Sequence, residues 1–336
     1  MHYTVVSLHK KVTEQFRWEE ARGMGPQSPS QRARIKFPHM RHSSALTRMI
    51  CIAALATLTA CGRAQPTASG ALAPTTTPWT LTWADEFSAA AGTLPDPTRW
   101  SADTGATGFG NQELEYYCAP GASTAPCNLT QPNAAQDGNG NLVISARRSA
   151  SGVWTSARLK TLGRATFPYG RIEARLRLPT GAGLWPAFWA LGNDIGTVGW
   201  PASGEIDIME NVAVNVPGGL GADVVKATLH GPGYSGGSGI GKAFLFPAGS
   251  RVDDGFHVYG VIWSRDSLRF YVDGVSSPFV TITPGNAPVG AEWAFDKPFF
   301  LLLNLAVGGM WPKSPDATTP NPSQMLVDYV RVYTKQ

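Results

Sequence analysis

After residue 79, apolar and polar residues alternate with period two through much of the chain. The pattern runs in "NLVISARR" (141–148), "GRIEARLRLP" (170–179), "HVYGVIWS" (257–264), "SLRFYVDG" (267–274) and "MLVDYVRVY" (325–333). Period two is the spacing of a half-buried strand, whose successive side chains face opposite sides. "FYVDGVSS" adds a hairpin signal, Asp273-Gly274 between strand-like residues. Long helix-period runs are absent, and 37 glycines and 26 prolines supply turns. No internal repeat, no linker after residue 79 and no Rossmann or P-loop pattern appears. The pattern predicts an all-β sandwich of two sheets across residues 79–336.

Charge removes one class of function. The chain carries a net +4, which suggests a polyanion partner, but the excess lies in the leader. Residues 1–61 hold nine Lys/Arg against three Asp/Glu, leaving 19 against 21 in residues 62–336. The folding part is nearly neutral, so no nucleic-acid partner is expected and a neutral substrate fits better.

Residues 1–39 are polar and basic without an apolar face, and are read as untranslated or disordered. At Met40 a short basic stretch, "MRHSSALTRM", leads into "ICIAALATLTA", an apolar run too short to span a bilayer as a mature helix. It ends "LTAC", and small residues before a cysteine resemble a bacterial lipoprotein signal. That resemblance implies translation from Met40, a signal over 40–60, cleavage before Cys61 and a lipid on Cys61. Residues 61–78, rich in Pro, Thr, Ala and Gly, read as a flexible tether. The protein is expected outside the cytoplasm, touching a membrane only through that anchor. In an exported chain, Cys118 and Cys127 in "CAPGASTAPC" are expected to form a disulfide.

The chemistry concentrates in "GEIDIMEN", Gly204 to Asn211. On a regular strand Glu205, Asp207 and Met209 share a face and Glu210 points the other way. One β-bulge between Asp207 and Glu210 brings all three acids to the same face and leaves the apolar residues for the core. The extra residue is Ile208 or Met209. Four effective steps put the two glutamates about 13 Å apart at the backbone. Two long side chains leaning inward approach the ~5–5.5 Å separation of a retaining glycosidase. Three carboxylates this close cannot all ionise cheaply, so the cluster titrates as a unit. A calcium site or a solvated strand are the competing readings: calcium takes oxygen ligands, often from loops, whereas these acids are interleaved with Ile206, Ile208 and Met209, and a solvated strand gives no reason for the break before the third acid.

"GEIDIMEN" resembles the E-x-D-x-x-E signature of glycoside hydrolase family 16, in the bulged form of its laminarinases. "WADEF", "YGRIEARLRLPTGAGLWPAFWALG", "GWPASGEIDIMEN", "FHVYGVIWS", "PFFLLLNLAVGGMWP" and "MLVDYVRVY" extend the resemblance over nearly all of 79–336. It implies a β-jelly-roll sandwich of two curved antiparallel sheets with a concave cleft. It implies retaining endo-hydrolysis of β-1,3-glucan, with Glu205 as nucleophile, Asp207 as helper and Glu210 as acid/base. A β-1,3-1,4-glucanase, a galactan hydrolase or a non-catalytic glucan-binding protein are the alternatives. No catalytic cofactor and no partner chain are expected.

Flat aromatic faces are what sugar rings stack on. Trp200 and Trp311 are expected in the cleft, Trp185 beside them, and Trp189 in the core. Asn111, Arg175 and His230 resemble positions that contact sugar hydroxyls, although each could equally be a structural hydrogen-bonding group. Glu113 reads as a buried structural acid tied to backbone groups. The resemblance further implies a structural calcium held by the backbone of Glu86, the backbone of Gly140 and Asp328. The chain departs from the family pattern at Cys118–Gln131 and in the glycine-rich "HGPGYSGGSGIGKAF".

Overall fold

The structure is a computed structural model that describes residues 78–212 and 220–335. The leader, the signal segment, Cys61 and all but the last residue of the tether lie outside the described residues. In chain order the strands are β1 (Trp79–Asp85), β2 (Ser101–Asp103), β3 (Tyr116–Tyr117), β4 (Ala134–Gln136), β5 (Leu142–Arg148), β6 (Trp154–Ser156), β7 (Arg158–Lys160), β8 (Gly170–Arg177) and β9 (Leu184–Gly192). They continue as β10 (Glu205–Glu210), β11 (Val224–His230), β12 (Ile240–Leu245), β13 (His257–Ser264), β14 (Ser267–Val272), β15 (Val280–Ile282), β16 (Phe299–Val307) and β17 (Ser323–Lys335). A four-residue helix, α1 (Ile195–Val198), precedes β10.

Two sheets form the sandwich. The outer one runs β15-β14-β13-β8-β17-β5-β6-β3, with β1 on β17 and β4 on β5; the inner one runs β12-β11-β10-β9-β16-β7-β2. Pairing is antiparallel except for β3 with β6, which is parallel. This is the expected jelly-roll sandwich.

The inner sheet is buried on both faces at its centre, which explains why its strands do not alternate in sequence. In β16, "FFLLLNLAV", every residue is buried. Phe299, Leu301, Leu303, Leu305 and Val307 join the main core between the sheets. Phe300 and Leu302 instead join a second cluster with Ala187, Trp189 and Leu191 of β9, covered by Leu162 and Ile195. Trp189 is buried in a hydrophobic cluster as expected, and that cluster is the second one, on the far side of its own sheet. "LWPAFWAL" is apolar at both parities, so its pattern cannot tell one face from the other.

The bulge lies in β10. Against β9, Asp207 pairs with Trp189 and Met209 with Phe188, so Ile208 is the extra residue. Against β11, Asp207 pairs with Thr228 and Glu210 with Lys226, one residue longer on the β10 side. Ile206, Ile208 and Met209 all reach the main core. The three acids face the other way, beside the second apolar cluster.

Candidate active site

The register assembles the site from three strands. Glu205 lies between Leu191 and His230, Asp207 between Trp189 and Thr228, and Glu210 between Ala187 and Lys226. Same-face neighbours across an antiparallel sheet sit close enough to touch. The floor under the acids is therefore apolar on the β9 side and polar on the β11 side.

Each glutamate has its own tryptophan. The indole N–H of Trp200 donates to Oε2 of Glu205 at 2.9 Å. The indole N–H of Trp185 donates to Oε1 of Glu210 at 3.1 Å, and the Thr228 hydroxyl donates to its Oε2 at 3.4 Å. Trp311 meets Trp185 edge to face, ring centroids 5.3 Å apart. Two glycines set Trp311 in place. Gly308 and Gly309 both have positive φ, and a Cβ on them would strike the Leu114 side chain at 2.4 Å and the Asn111 carbonyl at 2.8 Å. That close approach lets the Met310 amide donate to the Asn111 carbonyl at 2.7 Å.

His230 closes the third side. Its Nε2 lies 3.2 Å from Oδ2 of Asp207 and 3.8 Å from Oε1 of Glu205. Oδ2 of Asp207 and Nδ1 of His230 are nevertheless buried without an aligned hydrogen bond among the described residues. Glu205, Asp207 and His230 could also chelate a divalent ion, with one atom from each within 4.8 Å of the others.

Burial raises the proton affinity of all three acids. It pushes Glu205 well above the usual carboxylate range, with the charge of Asp207 adding to the effect; His230 and the Trp200 N–H oppose it. Burial lifts Asp207 to about 8, against the pull of Lys226. Burial and then Asp207 lift Glu210 to about 8, against His230, Lys226 and the Trp185 N–H. The cluster thus keeps protons near neutrality.

The remaining predicted residues divide. Asn111 sits beside the loop that carries Trp311, and its amide donates to Oε1 of Glu113 at 3.0 Å. Arg175 does not reach the cleft. It lies on β8 of the outer sheet, where Ile172, Ala174 and Leu176 take the core-facing parity. Its guanidinium pairs with Asp328 and lies 4.7 Å from the Phe256 ring. Glu113 is buried as expected, but side chains hold it: Asn111 on one oxygen and the Tyr117 hydroxyl on the other at 2.8 Å.

Cys118 and Cys127 form a disulfide, with Cα atoms 5.7 Å apart. The register also draws the implied calcium residues together. Asp328 is the extra residue of a bulge in β17, with Asp85 paired to Val330 and Leu142 paired to Val327. Glu86 and Gly140 follow and precede those pairs by one and two residues. One Asp328 oxygen is taken by Arg175.

Several residues were not picked out from the sequence. Lys226 and Thr228 stand opposite Glu210 and Asp207. Carrying the period-two spacing back from His230 would have found both. At the far edge, Asp103 holds Arg158 and Lys160, and Arg158 lies 4.7 Å from the Trp189 ring. Glu115 is fully buried, and burial lifts it to about 8.

Two glutamates and an aspartate on one open sheet face, edged by tryptophans, define a hydrolase that cleaves glycosidic bonds with carboxylates. The chain belongs to glycoside hydrolase family 16: the model of "Glycosyl hydrolases family 16" matches residues 123–331. It is 40% identical over 268 residues to a beta-glucanase of Rhodothermus marinus, covering 76% of this chain and 85% of that one. It is 36% identical over 281 residues to glucan endo-1,3-beta-glucosidase A1 of Niallia circulans, covering 76% of this chain but 38% of that longer protein. Among solved structures, the catalytic domain of an endo-1,3-beta-glucanase (laminarinase) from Thermotoga petrophila RKU-1 superposes with a TM-score of 0.67 at 41% identity. That match covers 78% of this chain and 100% of the other.

Proposed function

We infer that the protein is an endo-β-1,3-glucanase that acts with retention by double displacement. The observation that carries this reading is the bulge at Ile208, which turns Glu210 onto the face of Glu205 and Asp207. Glu205 attacks the anomeric carbon while Glu210 protonates the departing glycosidic oxygen, leaving a glycosyl ester on Glu205. Glu210, now ionised, takes a proton from water, and that water cleaves the ester. Glu205 must be ionised to attack, and the Trp200 N–H and His230 favour that form. Asp207 shares protons with the cluster and approaches His230. Trp200, Trp311 and Trp185 offer ring faces to the sugars, and Asn111 and His230 offer polar atoms.

Product analysis on laminarin, lichenan and agarose, with anomeric NMR, tests linkage and stereochemistry together. β-Configured products from laminarin are expected. Laminarin left uncut while lichenan or agarose is cleaved would move the substrate to one of the alternatives. Glu205→Gln is expected to remove turnover and keep laminarin binding; a wild-type protein that binds but releases no reducing ends would be a binding protein.

The same reading has the chain exported, anchored through an acylated Cys61 and monomeric. Mass spectrometry of the native N-terminus tests the anchor, and an unacylated start elsewhere would refute it. A structural calcium at Glu86, Gly140 and Asp328 belongs to this reading as well. Chelation is expected to lower Tm, and added calcium to restore it.

A further inference from the structure

The cleft-facing row of β11 is Lys226, Thr228 and His230, while Val225, Ala227 and Leu229 face the core. Register sets Lys226 directly opposite Glu210. Its Nζ lies 5.9 Å from the centre of the Trp311 ring. Trp311 abuts Trp185 edge to face, and the Trp185 N–H returns to Glu210. The chain of contacts closes: ammonium, indole, indole, carboxyl, and back across the strand pair.

We propose that Lys226 is a positioning residue for Glu210, holding the Trp311–Trp185 pair against it and fixing a positive charge beside its carboxyl. The assignment rests on reading Glu210 as the acid/base. An ammonium near an aromatic face within about 6 Å is attracted to it, so Lys226 restrains Trp311 while Trp311 restrains Lys226. Trp185 is then held at the angle its N–H needs to reach Oε1.

The groups around Glu210 can be named strand by strand. Asp207 and Glu205 lie on its own strand, and Asp207 opposes its ionisation. β11 contributes Lys226, Thr228 and His230, and β9 contributes Trp185. Lys226 and His230 both favour the ionised form. Removing the ammonium makes the carboxylate costlier, so Glu210 holds its proton to higher pH. The alkaline limb of kcat/KM reports the acid of the free enzyme, and it should move up.

The test compares wild type with Lys226→Met, Lys226→Gln and Lys226→Arg, each checked for folding by circular dichroism. Laminarin hydrolysis across pH gives the limb. Carbon-13 NMR of glutamate-labelled protein, with the Glu210 signal assigned from Glu210→Gln, gives the carboxyl midpoint without turnover. The neutral variants are expected to raise limb and midpoint by roughly one unit, with Lys226→Arg close to wild type. A limb and midpoint that stay put in both folded neutral variants would overturn the assignment. A wild type that never cuts laminarin would instead overturn the glucanase reading, and the NMR titration would still decide on Lys226.

Discussion

The indole N–H of Trp200 reaches Glu205 at 2.9 Å while 49% of the residue stays open to solvent. One side chain thus offers a flat face to the cleft and a donor to a half-buried carboxylate below it. The bond favours the charged form of Glu205, the form that attacks.

Trp200→Phe keeps an aromatic face and deletes the donor. A hydrogen bond to a charged group is worth about 1.5–3 kcal/mol, so kcat/KM on laminarin should fall roughly 10- to 100-fold. The acid limb should move to higher pH, because Glu205 loses a group that favours ionisation. Rates measured across pH give both numbers; an unchanged limb would leave Trp200 as a stacking surface only.

Glu210 should make the fold less stable as pH rises. Its folded-state value, about 8, lies above the ordinary 4.5 of an unfolded glutamate. Between the two the folded chain holds a proton that the unfolded chain has lost, so stability falls with pH. The loss begins near the unfolded value and is complete above the folded one. Glu210→Gln cannot titrate. Urea unfolding should show variant and wild type alike near pH 4, and the variant more stable by roughly 3–5 kcal/mol above pH 8. A gap that closes with rising pH would contradict the burial argument.

Deleting Ile208 restores strict alternation, giving Glu, Ile, Asp, Met, Glu. The acids then lie at period-two positions and still share the cleft face. Ile208 is buried in the main core, so its loss should cost roughly 2–4 kcal/mol. A folded deletion variant should retain measurable glucan cleavage. Full inactivity in a folded variant would mean that the bulge sets the spacing of the acids as well as their direction.

Arg175→Ala tests the placement of that residue on the outer sheet. KM for laminarin should stay within about twofold of wild type. Arg175 and Asp328 are partly solvent-exposed, so stability should drop by about 1 kcal/mol or less. A large rise in KM would put Arg175 back at the substrate.

Legibility in the sequence followed the alternation. Where one face is wet, as in β8 and β17, period two marked the strands. The single break in β10 gave the bulge and the direction of three acids. It could not choose between Ile208 and Met209, because both are apolar and both end in the core. In β9 and β16 both faces are buried, so the side taken by Trp189 left no trace in the pattern. Arg175 failed for another reason: alternation tells which face a residue takes, but not which of two sheets the strand joins. Lys226 was within reach, since Lys226, Thr228 and His230 share one parity in "VVKATLH".

The second apolar cluster bears on when the energy of drying the acids is spent. Trp189, Leu191, Phe300 and Leu302 are already sealed by Leu162 and Ile195. Folding alone therefore strips water from one flank of Glu205, Asp207 and Glu210, before any sugar arrives. That penalty is met once in the life of each molecule instead of once per bond broken. A polysaccharide entering the groove finds carboxyls whose surroundings need little rearrangement.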